Sequence, residues 1–354
     1  MTSSNVSRKI GVGLLGYGAS GATFHVPLIA AEPRLRLVAI SSLAPEAVRH
    51  ALPGVTATDQ PNDVINHPDV ELVVVATPNA SHAELAQAAL LGRKHVVVDK
   101  PFTVRTQDAD ALIDLATAQS RLISVFHNRR WDGDFQTVRA CITSGALGEI
   151  RSYAARFDRY VPNIRAGWRE QPSEGSGVLY DLGSHLIDQA LVLFGLPREV
   201  WATVVTQRDG GLVPDAFHLV LLYDRLQVVL EARSLVRDPG PRYEVHGTDG
   251  SFVKYGLDSQ EAALKAGRLP GEPGWGIDPS DGRLTYGLAD LHVSATVATI
   301  PGAYQTFYAQ IASAIMDGSP PPVEAGSARD VVRVIELALE SARTGRIVDA
   351  GWSS

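Results

Sequence analysis

Ile10-Gly11-Val12-Gly13-Leu14-Leu15-Gly16-Tyr17-Gly18-Ala19-Ser20-Gly21 is the stretch that decides the fold. From Ile10 to Leu15 it reads as a buried strand, and Gly16, Gly18 and Gly21 then spell G-x-G-x-x-G around Tyr17, Ala19 and Ser20. A strand feeding a glycine turn and then a helix suits a dinucleotide. The first glycine makes the tight turn, and the second lets backbone approach a pyrophosphate. The third lets helix pack closely on strand, and the helix N-terminus attracts the anion. A second frame on Gly11, Gly13 and Gly16 falls inside the apolar strand and is read as coincidence. The helix is expected to reach Ile29.

Working outward, strands and helices alternate regularly. A second strand over 35–40 ends in Ser41-Ser42, where an NAD site would place a carboxylate against the ribose 2′-hydroxyl. Two serines can instead donate hydrogen bonds to a 2′-phosphate, although Arg49 lies a helical stretch away. The pair leans towards NADP and leaves NAD open. A third strand over 70–76 runs into Thr77-Pro78-Asn79-Ala80-Ser81-His82. That segment could pack beside the nicotinamide ribose, with Asn79 or Ser81 also capping a helix over 83–91. The fourth strand, His95-Val96-Val97-Val98, stops abruptly at Asp99-Lys100-Pro101. Ligands of open α/β sheets bind outside the carboxyl ends of strands, so Lys100 would point into the cleft. A further strand over 122–127 completes a doubly wound pattern.

The second half has a different texture. Segments 151–157, 200–207, 216–223 and 226–234 alternate apolar and polar residues, as half-buried antiparallel strands do. The expected architecture is therefore α/β: an N-terminal Rossmann domain over 1–126, then an α+β domain over 127–354 on a largely antiparallel open sheet. A helix opening at Asp181 and running to Phe194 should cover one face of that sheet. Its spacing places Asp181, His185 and Asp188 together, and a carboxylate beside an imidazole fixes its tautomer and tunes it as a proton acceptor. Asp181 could equally be a simple helix cap. The glycine- and proline-rich stretch 267–282 reads as a long loop, either a lid, a subunit contact or surface irregularity. Helical patterns follow over 304–316 and 328–343.

Composition bounds the function. The chain has 354 residues, 45% of them hydrophobic, enough for two cores. Its one cysteine, Cys141, excludes an internal disulfide and thiolate metal clusters, and no H-E-x-x-H is present among the ten histidines. No metal is expected. A formal charge of −7 without a basic stripe argues against nucleic acid. No apolar run approaches the roughly 20 residues of a membrane span, and residues 1–9 lack a signal-peptide core. A cytoplasmic protein is expected.

Several motifs together resemble the glucose–fructose oxidoreductase, inositol dehydrogenase and MocA family of NAD(P)-dependent oxidoreductases. They are Gly16-Tyr17-Gly18, Thr77-Pro78-Asn79 with His82, Lys100-Pro101, Asp181-x-Gly183-x-His185-x-x-Asp188, and Val245-His246-Gly247-Thr248-Asp249-Gly250-Ser251. Phe24-His25-Val26-Pro27-Leu28, His127-Asn128-Arg129-Arg130-Trp131-Asp132 and Trp168-Arg169-Glu170 resemble its scyllo-inositol dehydrogenase-like branch.

The resemblance implies hydride transfer between a cyclic polyol or sugar and the cofactor. Lys100 would polarise the reacting oxygen, His185 would act as acid and base, and Asp181 would be its partner or a hydroxyl ligand. It also implies cofactor contacts from the glycine turn, Ser41-Ser42, the 77–82 segment and Asp99-Lys100-Pro101, with the Lys-Pro bond often cis. The family usually has Glu before that Lys-Pro, and this chain has Asp99. His127, Asn128, Arg129, Trp168 and Arg169 are the substrate candidates, and a homodimer or homotetramer follows by analogy. A glycosidase using transient oxidation and a non-enzymatic dinucleotide sensor remain as alternatives.

Overall fold

The computed structural model describes residues 8–165 and 167–352, so most of the polar N-terminal segment lies outside the described residues. Val- and Ile-rich runs form β1 (Ile10–Leu15), β2 (Leu35–Ser41), β3 (Thr56–Thr58), β4 (Leu72–Val75), β5 (His95–Val98) and β6 (Ile123–Val125). All pair in parallel, in the order β3-β2-β1-β4-β5-β6. The edge strand β3 escapes the sequence reading, because three half-exposed Thr-Ala-Thr residues carry no periodic signal; the strand counted third is therefore fourth.

Register does the important work. Leu15 pairs with Ser41 and with Val75, Val75 with Val98, and Val98 with Val125. The carboxyl ends of five strands thus stand in one row, so Gly16, Ser42, Ala76, Asp99 and Phe126 leave the sheet along one edge. The order reverses between β1 and β4, the switch point at which such sheets bind ligands.

The glycines differ in what they do. Gly16 needs its φ of +99°, and a Cβ there would meet the Ala76 carbonyl oxygen at 2.5 Å. A Cβ on Gly21 would lie 2.2 Å from the Gly16 carbonyl oxygen, so this glycine lets the helix sit against the turn. A Cβ on Gly18 would meet nothing within 4 Å. The helix expected to reach Ile29 begins as a π-type turn, Gly21–His25, before the α-helix Val26–Ala30.

The second sheet contains β7 (Ile150–Arg156), β8 (Glu199–Val205), β9 (Ala216–Leu222), β10 (Gln227–Arg233), β11 (Tyr243–Gly247), β12 (Gly250–Lys254), β13 (Gly282–Leu288), β14 (Leu291–Val297) and β15 (Val348–Asp349). Its order is β14-β13-β12-β11-β7-β10-β9-β8-β15, antiparallel except for β7 beside β10. Val200, Ala202, Leu219, Val228 and Leu230 point to one face, where Leu186, Ile187 and Ala190 of helix Ser184–Phe194 cover them.

The two cores do not divide at residue 126. Tyr304, Phe307, Tyr308 and Ile311, around helix Gln305–Asp317, pack in the first core with Phe126. Helix Ala325–Thr344 gives Ala328 and Val332 to the first core and Val331, Val334 and Ile335 to the second. The stretch 267–282 is a loop up to the start of β13, and its second half is anchored. Trp275 is buried in the first core with its indole N–H on Gln305 Oε1 (2.9 Å), and the buried Lys254 ammonium donates to Asp278 (2.8 Å).

Replacing a helical glycine by alanine usually gains up to about 1 kcal/mol. At Gly21 the overlap with backbone outweighs this, and we expect Gly21→Ala to destabilise by about 1–3 kcal/mol. Gly18→Ala should leave the unfolding midpoint unchanged. Urea titrations of both variants check the contrast.

Candidate active site

β5 carries Lys100 out of the sheet at the edge described above. Its Nζ donates to the Asp181 carbonyl oxygen (2.7 Å) and to Asp181 Oδ1 (2.8 Å). Asp181 sits in the π-type turn Leu179–Gly183 that leads into helix Ser184–Phe194, so the contact joins the two domains. The Lys100–Pro101 bond is cis.

The lysine is supported from behind. Its backbone N–H donates to Asp99 Oδ1 (2.7 Å), and Asp99 Oδ2 accepts from Ser20 Oγ of the glycine turn (2.5 Å). The buried His25 places Nε2 3.6 Å from Asp99 Oδ2, with Nδ1 2.7 Å from Tyr308 Oη. Burial alone would raise the Asp99 pKa, but His25, Lys100 and Ser20 hold it well below the usual carboxylate range. Ser20 and Asp99 therefore tie the glycine turn to the backbone of Lys100.

Asp181 is surrounded by cations: Lys100, Arg169 (Nε 3.7 Å away) and Arg159 (Nη2 4.0 Å away). Burial opposes its ionisation, yet Lys100, Arg169 and Arg159 together bring its pKa down to about 2. It is neither a helix cap nor the partner of His185, and both expectations are corrected. Asp188 is not that partner either, since its carboxylate takes three hydrogen bonds from Arg130 (2.6, 2.9 and 3.2 Å). The buried His185 finds no partner for Nδ1. Burial, then Lys100, Arg129, His127 and Arg242, push its pKa well below the ordinary imidazole value, so the ring is neutral. Isolation among cations sets its protonation state, where a carboxylate was expected to do so.

The remaining candidates divide. Tyr17, Gly18, Ala19 and Ser20 lie at or near the surface of the turn, and Gly18 has open space before it. The first turn of a helix presents N–H groups without intrahelical acceptors. This cradle fits a pyrophosphate. Ser41 is buried and its carbonyl oxygen accepts the Gly16 N–H (2.9 Å), while Ser42 is partly exposed with Oγ on the Ala44 N–H (3.2 Å).

At the end of β4, Ser81 does not cap its helix; its hydroxyl donates to Thr77 Oγ1 (2.7 Å). Asn79 does not cap either: its amide donates to the Gly175 carbonyl (2.8 Å). His82 is buried with its ring nitrogens on the Pro101 and Thr77 carbonyls, so it braces β4 against the Lys-Pro corner.

Arg129 is likewise corrected as a hydroxyl ligand. It is buried, with its guanidinium committed to Asp132 (3.2 Å) and Glu261 (2.5 Å). Asn128 is buried beside it and opens the turn Asn128–Trp131, and His127 is buried with neither ring nitrogen bonded. Trp168 is half-buried under the Arg169 guanidinium at 4.6 Å. Sequence reasoning missed His25 and Tyr308. His25 follows Gly21 by one helical turn, a spacing that turns it towards the strand ends; Tyr308 gave no signal at all.

A glycine-turn Rossmann domain joined to an antiparallel sheet domain, with a lysine at their seam, defines a two-domain dinucleotide-dependent oxidoreductase. Residues 10–127 match the oxidoreductase family, NAD-binding Rossmann fold, and 139–350 match its C-terminal alpha/beta domain. The chain belongs to this Gfo/Idh/MocA family and is an NAD(P)-dependent dehydrogenase. It is 46% identical over 339 residues to the oxidoreductase YdgJ of Escherichia coli, covering 96% of this chain and 98% of that one. It is 41% identical over 341 residues to the scyllo-inositol 2-dehydrogenase (NADP(+)) IolW of Bacillus subtilis, covering 96% and 95%. The structure of the oxidoreductase YvaA from Bacillus subtilis superposes with a TM-score of 0.94 at 41% identity, covering 97% and 98%. Among the described residues no helix is long and apolar enough to cross a membrane, and no group of three or more His, Cys, Asp or Glu could hold a metal.

Burial, opposed by Asp188, pushes the His127 pKa down to about 4. In the unfolded chain the ring titrates near 6.5. Between these values the unfolded state holds a proton that the folded state lacks, so stability falls as pH drops through this window. Urea midpoints measured at pH 7, 6 and 5 should decline less steeply for His127→Asn than for the parent; His185 keeps part of the slope.

Proposed function

We propose that the protein moves a hydride between a secondary alcohol of a cyclic polyol, scyllo-inositol or a close analogue, and NADP. The observation that carries this is Lys100, held by Asp181 beside a neutral, unpartnered His185. An ammonium has three donors, and Asp181 takes two of them. The third is left for the oxygen of an alcohol in the cleft. There it stabilises negative charge as the O–H proton leaves for the His185 ring, which is neutral and can accept it. In the reverse direction His185 returns that proton to the carbonyl oxygen. The bound nicotinamide supplies the redox step by accepting or giving the hydride.

For NADP, the support is the Ser41-Ser42 end of β2, which offers a partly exposed hydroxyl and no carboxylate to repel a 2′-phosphate. IolW carries both NADP and scyllo-inositol in its name. A homodimer or homotetramer goes with this reading. The helix-free face of the second sheet presents Trp201, His218 and Val229, which alternate with buried neighbours.

The test is nicotinamide reduction by the purified protein with scyllo-inositol, using NAD and NADP in parallel. Turnover with NADP well above that with NAD is expected. Absence of turnover with either would reject the inositol assignment, and turnover with NAD alone would reject the cofactor assignment. Lys100→Ala should lower kcat by about 10²–10⁴ while cofactor binding, read by fluorescence titration, persists. The acid limb of kcat should lie below pH 6.5, because His185 loses its proton more readily than an ordinary imidazole. His185→Asn should abolish that limb together with most of the activity.

A further inference from the structure

We propose that Arg208, anchored by Asp215, is a positioning residue for the substrate side of the cleft. It grips Glu170 and so holds the turn Trp168–Glu170 against Asp181. The inference rests on the polyol reading above for its substrate, but its geometry stands apart from it.

Between β7 and the turn Leu179–Gly183, Trp168–Glu170 is the one helical turn among the described residues. Unstructured segments of this length inside a domain need fastening or a function. Here the fastenings sit at both ends. Towards the first domain, Asn79 holds the Gly175 carbonyl (2.8 Å) and Arg105 pairs with Glu174. Towards the second, Arg208 reaches over from the connection between β8 and β9. Its Nη1 and Nη2 donate to Glu170 Oε1 (3.1 Å) and Oε2 (2.8 Å), a two-pronged carboxylate grip. The same Nη1 approaches the Asn163 carbonyl at 3.4 Å.

Arg208 is itself immobilised. Its Nε donates to Asp215 Oδ2 (2.6 Å), and the backbone N–H groups of Gln207 and Arg208 donate to the two oxygens of that carboxylate (2.7 and 3.1 Å). The side chains of Arg208 and Asp215 are only 5% and 2% exposed. Surface ion pairs contribute little, but removing one member of a buried pair strands the other charge. The grip is therefore firm.

What it holds is not packed elsewhere. Trp168 is half-buried and Arg169 is exposed, stacked on each other at 4.6 Å. The Arg169 Nε lies 3.7 Å from the carboxylate that binds Lys100. Besides that contact, the next residue, Glu170, ties this pair to the second domain through Arg208. Arg208 touches neither substrate nor reacting atoms, so its influence should appear in substrate affinity.

The experiment compares Glu170→Gln, Arg208→Lys and the double variant Glu170→Gln/Arg208→Gln with the parent. For Glu170→Gln we expect KM for scyllo-inositol to rise about tenfold with kcat within about twofold and cofactor affinity unchanged. Trypsin should cleave after Arg165 or Arg169 about tenfold faster. Arg208→Lys, which keeps the charge and loses the fork, should fall between parent and Glu170→Gln. The double variant also strands the buried Asp215 carboxylate, so its KM should be at least as high as that of Glu170→Gln, with a lower unfolding midpoint. Parental KM and parental cleavage in Glu170→Gln would overturn the proposal, as would a loss confined to kcat. If the parent turns over no polyol, faster cleavage at unchanged cofactor affinity still supports the grip, and only the substrate reading falls. Glu170→Gln leaves the Arg208–Asp215 pair intact, so it decides the matter even if the double variant does not fold.

Discussion

Everything at the seam of this protein depends on one ion pair, Lys100 with Asp181. It links the end of a strand in one sheet to the turn that opens the covering helix of the other. Both groups are largely withdrawn from water, with 14% and 27% of their side chains exposed, so losing either would strand a charge in a poorly solvated cleft. The two hydrogen bonds to Asp181 also fix where the third ammonium donor points. One contact thus joins the two domains and orients the lysine ammonium at their seam.

A second layer keeps that contact in place. Asp99 clamps the lysine backbone from one side and Ser20 of the glycine turn from the other, while His25 and Tyr308 stand behind it. Asp99 replaces the glutamate usual in the family, and here the shorter side chain still reaches both the turn and the lysine amide. Tyr308 comes from helix Gln305–Asp317, whose apolar side chains fill the first core. The late helix is thereby part of the early domain's site.

Electrostatics around His185 follow the same economy. Four cationic or imidazole neighbours and full enclosure keep His185 uncharged, and no carboxylate competes for its proton. The acids nearby are spoken for, Asp181 by Lys100 and Asp188 by Arg130. A charged imidazole in this place would repel Lys100, so neutrality of one group supports the charge of the other.

The sequence by itself determined the Rossmann half, because its signals are local. A valine run, a glycine turn and a proline stop are set by hydrophobic period and backbone sterics within a few residues. It also marked Lys100, Asp181 and His185 as the residues to watch. It could not say how they pair. Helical spacing suggested Asp181 beside His185, but a π-type turn at Leu179–Gly183 and the approach of β5 gave that carboxylate to the lysine 81 positions away.

Arg129 looked free for a substrate hydroxyl until Glu261, 132 positions on, buried and neutralised it. The same holds for Tyr308 behind Asp99 and Arg208 behind Glu170. Pairings of this kind depend on which charges are enclosed together when distant segments pack. A buried charge accepts whichever opposite charge the packing brings, and no local period encodes that choice.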